Sequence, residues 1–385
     1  MIPYGRQHIS DEDIQAVVEV LKSDFLTQGP VVPKFEQALC DYTGATHAVT
    51  ANSGTSALHL ACRALDLGSG DILWTTPITF VASANCALYC GAKVDFVDID
   101  PNTFNLSVDA LKEKLEWAEQ AGKLPKIVVP VHLCGLSCEM EAIGQLAKQY
   151  GFSVIEDASH ATGGRYQHKT IGCCQYSDIT IFSFHPVKTI TTGEGGVALT
   201  NDRDLAEMMA LLRNHGITRH PEHMTHAPDG DWYYQQIDLG YNYRMTDIQA
   251  ALGLSQISRL DEFVKRRHEI ASLYDNYLRE FPVTPQHRSE GSYSGMHLYV
   301  IRLATEKLDK PHKQVFSELR DSGIGVNLHY IPVHTQPYYR ELGFNVGDFP
   351  EAERYYSEVI SLPMFPELSK DQIITVVDSL RKSLA

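Results

Sequence analysis

Nowhere in the 385 residues do about 18 apolar residues run uninterrupted, so no stretch reads as a membrane-crossing helix. The first residues, MIPYGRQHISDEDIQAVVEVL, lack the basic start and apolar centre of a secretory leader, and a cytoplasmic location is the expectation. Basic residues are scarce: 33 Lys and Arg stand against 48 Asp and Glu, a net charge of -15, with no compact Lys/Arg cluster. Such a chain repels phosphate backbones, which excludes nucleic acid as a partner. Any phosphate it binds must be held by local amides, hydroxyls or single basic residues. The eight cysteines include no CxxC pair, and no second ligand pair stands at zinc-finger spacing, so they read as free buried thiols and no metal site is expected. With 43% hydrophobic and 21% charged residues, no long disordered stretch is expected either.

What is present is length and alternation. Single cores stop growing near ~250 to 300 residues, so the chain is read as two domains. Residues 1–250 form an N-terminal arm and a large α/β domain; residues 251–385 form a bridging helix and a smaller α+β domain. Ser10-Asp-Glu-Asp13 ahead of Ile14, Val17, Val18 and Leu21 predicts a capped amphipathic helix, and residues 32–43 predict a second. Strands are then expected at 47–50, 71–75, 93–97, 126–130 and 153–157, interleaved with helices at 57–65, 80–90, 108–121 and 140–150. Short, almost wholly apolar strands alternating with helices indicate a parallel sheet covered on both faces. Ligands of such sheets gather at the carboxyl ends of strands, where residues 52–56, the turn at 77–80 and Asp157 all lie. Residues 214–240 read as a long functional loop. Beyond it the pattern predicts one helical stretch from 246 to about 281, a strand at 297–303, a helix at 310–322, a strand at 325–329 and terminal helices at 350–358 and 370–384.

The chemistry centres on residues 178–200, DITIFSFHPVKTITTGEGGVALT. Two apolar runs, 179–184 and 197–200, hang Lys188 in a turn ahead of a Gly193, Gly195, Gly196 loop. A lysine at such a junction loses charge by desolvation and can form a Schiff base with a carbonyl. Alone it is equally an ordinary surface lysine; its company is Asp157-x-x-His160 and Asn52-Ser-Gly-Thr-Ser56. A strand, a small polar turn and a helix start present free N–H groups and a positive dipole end to a phosphate, although a plain capped helix accounts for the same run.

With Asn52-Ser-Gly-Thr-Ser-Ala57, Glu156-Asp-Ala-Ser-His160, Ser183-Phe-His-Pro-Val-Lys188, Gly193-Glu-Gly-Gly196 and Gly240-Tyr-Asn-Tyr-Arg-Met245 in this order, the sequence resembles fold type I pyridoxal-phosphate enzymes. Over nearly its whole length it is most similar to the sugar-nucleotide aminotransferases among them. The resemblance implies a seven-stranded, mixed but mostly parallel sheet flanked by helices, with pyridoxal 5'-phosphate as cofactor. It implies that Lys188 is the lysine joined to the cofactor and the proton carrier, and that Asp157 pairs with the pyridine nitrogen. His160 would orient Asp157 or lie beside the ring. Ser53, Gly54, Thr55, Ser56 and Ser183 would hold the phosphate, with Thr55 and Ser183 foremost. Phe80 would stack on the ring, unless it is a core residue. Asn242 would reach the phosphate from the neighbouring subunit, which implies a homodimer with shared sites. Thr27, Gln28, Arg219, His329 and Tyr330 are the expected nucleotide-sugar contacts. Residues 250–276 and His329-Tyr-Ile-Pro-Val-His334 resemble the branch serving pseudaminic acid biosynthesis, whose substrates are a UDP-linked 4-keto sugar and L-glutamate.

Three other readings compete. In the desulfurase pattern the lysine directly follows the histidine, whereas Pro186 and Val187 intervene here. A 3-dehydrase replaces the lysine by histidine, which Lys188 argues against. A cofactor-binding regulator needs a fused interaction domain, for which no residues remain.

Overall fold

The computed structural model describes residues 1–385. Its apolar strands assemble into the expected sheet: β1 (His47–Ala51), β2 (Ile72–Thr75), β3 (Lys93–Phe96), β4 (Ile127–Val129), β5 (Ser153–Asp157), β6 (Ile179–Ser183) and β7 (Gly196–Thr200), in the order β1-β7-β6-β5-β4-β2-β3. Only β7 runs antiparallel to its neighbours β1 and β6; the other pairings are parallel. Both faces are covered, and successive residues serve opposite cores. Ile155 packs with Leu58, Leu60 and Phe96 on one side, whereas Val154 packs with Trp74, Leu111 and Leu115 on the other.

Residues 260–380 build a second layer with its own core. Strands Val283–Pro285, Tyr299–Leu303 and Val359–Leu362 pair antiparallel and are packed by helices Leu260–Tyr277, His312–Asp321 and Lys370–Leu384. The chain start belongs to this layer: Ile2 bridges to Ile324 and packs against its core.

Four expectations change. The helix expected at 80–90 begins at Ala82, because residues 77–81 turn out of β2 and leave Phe80 at the surface. The stretch 246–281 is two helices, Asp247–Ile257 and Leu260–Tyr277. The break has a polar cause: Gln256 Nε2 (2.9 Å) and Arg259 (2.6 Å) both turn to the buried carboxylate of Asp13. Residues 325–329 are no strand and make one bridge only, Asn327 to Ser361, after that of Ile324 to Ile2. Conversely, Val359–Leu362 is a fully buried strand where no element was expected. The loop 214–240 carries a small antiparallel pair, Ile217–Thr218 with Gln235–Gln236.

The sheet brings β7 against the start of helix Gly54–Ala64 so closely that only glycine fits at position 196. A Cβ there would lie 2.6 Å from Gly54 N and 2.6 Å from Ser53 O, both backbone atoms. Gly196→Ala is therefore expected to lower stability by about 1–3 kcal/mol, read as a lower urea midpoint. An unshifted midpoint would show that the two segments separate freely.

Candidate functional site

At the carboxyl ends of β5 and β6 lies a cavity of about 760 Å³, a size suited to a small cofactor with part of its substrate. Lys188 enters it from the turn after β6, where its N–H bonds to His185 O at 2.9 Å. Burial holds the Lys188 ammonium down to about 8, and the Asp157 charge opposes that shift.

Asp157 ends β5 and is nearly buried. Its Oδ1 accepts from Ser159 N (3.1 Å) and Ser159 Oγ (2.6 Å), and its Oδ2 accepts from Ser83 Oγ (2.5 Å). Ser83 is in turn bonded to Thr79 Oγ1 at 2.8 Å, so Thr79 must be the donor of that pair. A carboxylate offers about four lone-pair sites. Three are taken, and the remaining one, on Oδ2, can accept a single N–H. That is the capacity a protonated pyridine nitrogen requires.

The opposite end of the cavity is the start of helix Gly54–Ala64. Ser53 Oγ accepts from Ser56 N at 3.0 Å, and Ser56 Oγ donates to Asn52 Oδ1 at 2.7 Å. The Ser53 and Ser56 hydroxyls meet at 3.0 Å; with the Ser56 proton committed to Asn52, Ser53 must donate to Ser56. Both hydroxyl protons are thus spent within the cap, so Ser53 and Ser56 shape the phosphate cradle and do not donate to it. The N–H groups of Gly54 and Thr55 have no protein acceptor. Ser183 lies alongside, its Oγ 3.2 Å from the place a Cβ on Gly54 would take. Two amides, two hydroxyls and a helix dipole suit a phosphate.

The remaining wall is aromatic and neutral. His160 is buried, with Nδ1 accepting from Cys134 N at 3.3 Å, Nε2 3.0 Å from Tyr330 Oη, and its ring against His297 at 4.5 Å between centroids. Burial, then the charge of Lys188, holds the His160 imidazolium well below its usual range. The same causes hold His329 down to about 3, and its Nδ1 meets Ser361 Oγ at 2.8 Å. His160 makes no bond to Asp157, contrary to one expectation; Ser83 and Ser159 orient that carboxylate. Phe80 is 58% exposed, which removes core packing as its explanation and leaves it free on the cavity wall.

The structure gathers Ser53, Gly54, Thr55, Ser56, Phe80, Asp157, His160, Ser183, Lys188, His329 and Tyr330 around this one cavity. Thr27, Gln28, Arg219 and Asn242 lie outside it, all exposed. Thr27 is held by a bridge to Thr246, and the Asn242 carbonyl accepts from Asn52 Nδ2 at 3.4 Å. Sequence reasoning missed Ser83, Ser159, Tyr4, Glu194 and His297. Ser159 lies two residues after Asp157, a spacing at which local hydroxyl–carboxylate bonds form, and Ser83 lies one helical turn after Thr79. Tyr4 and His297 carry no local signal, because they reach the cavity from stretches far apart in the chain from Lys188 and Asp157.

The fold and this site define a pyridoxal-phosphate-dependent transferase. Residues 7–381 match the sequence model of the DegT/DnrJ/EryC1/StrS aminotransferase family, and the chain belongs to that family, whose members use pyridoxal 5'-phosphate. It is 40% identical over 384 residues to the spore coat polysaccharide biosynthesis protein SpsC of Bacillus subtilis (99% of this chain, 96% of that protein). It is 38% identical over 392 residues to the UDP-4-amino-4,6-dideoxy-N-acetyl-β-L-altrosamine transaminase of Campylobacter jejuni strain 81-176 (99% of each). Among solved structures, Helicobacter pylori PseC, an aminotransferase of pseudaminic acid biosynthesis, superposes with a TM-score of 0.91 at 34% identity, covering 100% of this chain and 99% of that one. The protein is a nucleotide-sugar transaminase.

A lysine with its pKa near 8 is reactive well below the range of a solvated one. The rate at which the cofactor-free protein takes up pyridoxal phosphate, read as growth of visible absorbance, is expected to rise with pH and level off above about 8. A rate still climbing at pH 10 would mean that Lys188 is solvated.

Proposed function

We propose that the protein moves the amino group of L-glutamate to C4 of a UDP-linked 4-keto-6-deoxy-HexNAc sugar, giving UDP-4-amino-4,6-dideoxy-N-acetyl-β-L-altrosamine for pseudaminic acid biosynthesis. The observation that carries this reading is one cavity holding a depressed lysine, a carboxylate with one free lone pair and a phosphate cradle, in a chain alike end to end with the Campylobacter transaminase.

Pyridoxal phosphate, when bound, supplies an aldehyde that carries nitrogen between donor and acceptor and a ring that spreads the negative charge left by a departing proton. The protein's side chains do the rest. Lys188 Nζ takes and returns that proton as general base and acid. The lone pair left on Asp157 Oδ2 would accept an N–H from the cofactor ring and so keep that nitrogen protonated. Thr55, Ser183 and the Gly54 and Thr55 amides would hold the phosphate, and the exposed ring of Phe80 would stack on the cofactor.

Lys188 is the single Lys or Arg in the cavity wall, yet both substrates are anionic. The missing groups are assigned to a second subunit: the exposed Arg219 and Asn242 of one protomer complete the site of its partner, in a homodimer with two shared sites. Thr27 and Gln28 belong to the same nucleotide-binding rim. In this proposal the domain division falls near residue 250, with His297, His329 and Tyr330 from residues 251–385 closing over the cofactor end of residues 1–250. A second reading, amination of another UDP- or TDP-linked keto-sugar, is favoured by the equal likeness to SpsC.

Turnover of L-glutamate to 2-oxoglutarate is expected with the UDP-linked 4-keto-6-deoxy-HexNAc and absent in Lys188→Ala. Activity confined to TDP-sugars would replace the sugar assignment while leaving the enzyme class. Light scattering is expected to give a dimer; a fully active monomer would remove the partner's role.

A further inference from the structure

We infer that Thr79 is a positioning residue: its hydroxyl locks the turn that carries Phe80 to the carboxylate of Asp157, so that two contacts to the cofactor ring are held as one unit. This rests on the reading of Phe80 as the residue stacked on the ring, and it is independent of which sugar is aminated.

Phe80 and Asp157 come from strand ends that do not pair. Residues 77–81 leave β2, Asp157 ends β5, and β4 lies between those two strands in the sheet. Phe80 itself has little to hold it, being 58% exposed with the Tyr330 ring 6.3 Å away between centroids. The backbone of its turn is tied at both ends, where Pro77 O accepts from Val333 N at 2.9 Å and Phe80 O accepts from Ser83 N at 3.2 Å. Neither bond reaches Asp157. Thr79 does, and it is the one polar side chain among residues 77–81.

Thr79 is buried, lines the cavity, and stands 2.8 Å from the hydroxyl of the fully buried Ser83. Ser83 gives its proton to Asp157 Oδ2 at 2.5 Å, and an ionised carboxylate offers none in return, so Thr79 donates to Ser83. Both hydroxyl protons therefore run in one direction, from the turn to the carboxylate. Hydrogen bonds in series polarise one another in a water-poor interior, and losing either leaves a buried polar group unmet. The middle of the relay is rigid: Ser83 sits in helix Ala82–Tyr89, and its carbonyl accepts from Cys86 Sγ at 3.2 Å. Ser159, the other hydroxyl on Asp157, comes from two residues along the same segment and ties the carboxylate only to its own turn.

A ring stacked by Phe80 and bonded at its nitrogen by Asp157 would be fixed in two directions, one normal to its plane and one within it. Keeping those contacts in a constant relation requires the turn and the carboxylate to move together, which the Thr79–Ser83 relay enforces. Cutting the relay at Thr79 leaves Phe80 and Asp157 chemically intact but independent of each other.

The test uses the full-length protein with Thr79→Val, Phe80→Leu and their combination, and pyridoxal 5'-phosphate as the probe. Affinity is read by titrating the cofactor-free protein, and ring orientation by visible circular dichroism per bound cofactor. Thr79→Val keeps the side-chain shape and is expected to weaken binding about 3–10-fold. Phe80→Leu is expected to weaken it about 2–10-fold. The combination is expected to fall short of the product of the two effects by at least about 2-fold. The dichroism is expected to drop in Thr79→Val, and Thr79→Ser to restore both affinity and signal. Full multiplication of the two effects would overturn the proposal, by showing that Thr79 serves only the stability of its turn. So would an unchanged dichroism, or a Thr79→Ser that behaves like Thr79→Val. A Phe80→Leu variant that changes neither readout would remove the stacking assigned to Phe80, and the coupling with it. An effect of Phe80→Leu together with full multiplication removes the coupling alone. Were Thr79→Val not to fold, the cycle is run with Ser83→Ala, where the same shortfall is expected and full multiplication again overturns the proposal.

Discussion

The structure turns on one buried carboxylate. Asp157 is removed from water at the end of a central strand, where an unsolvated charge is costly unless hydrogen-bonded. The fold meets that cost with hydroxyls, not with a cation: Ser159 from the turn that follows and Ser83 from a helix entering after β2. A salt bridge would have neutralised the group. Three hydrogen bonds preserve its charge and leave one lone pair open to a further N–H donor. The Ser83 contact needs β5 and the helix Ala82–Tyr89 to be in register with each other, so this small network ties the chemistry to the sheet.

Across the cavity the same low-polarity surroundings act in the opposite sense. Burial holds the Lys188 ammonium down to about 8 and the His160 and His329 imidazoliums below their usual range, so the basic groups around Asp157 hold their protons less tightly than they would in water. This contrasts with the strongly acidic exterior, net -15. Recognition of an anionic nucleotide sugar cannot come from the overall field. It has to be assembled from local amides, hydroxyls and single basic residues.

Much of this was legible before any coordinates. The alternation of apolar runs is a local property of burial on two faces, and it carried β1 to β7 with their helices. Lys188, Asp157 and the Ser53–Ser56 helix start lie at junctions where a strand ends and polar residues begin, and such junctions are visible as breaks in periodicity. Where reading failed, local pattern and tertiary demand disagreed. The stretch 246–281 looked like one helix because its apolar stripe hardly pauses, but the buried Asp13, some 240 residues earlier in the chain, draws Gln256 and Arg259 toward it and breaks the axis. Residues 325–329 have the composition of a strand, yet their neighbours allow only single bridges before the chain turns to deliver His329 and Tyr330.

By itself, then, the sequence determined the layer architecture and marked the junction lysine, the strand-end carboxylate and the capped helix start that the fold gathers around one cavity, because each is encoded by residues adjacent along the chain. The tertiary structure alone decided which hydroxyls serve Asp157, which serines are spent on capping, and that Tyr4, His297 and Tyr330 share one cavity with Lys188. Those are properties of side chains brought together from distant strands and helices. No periodicity records them, since the distance between such groups is set by sheet order and packing.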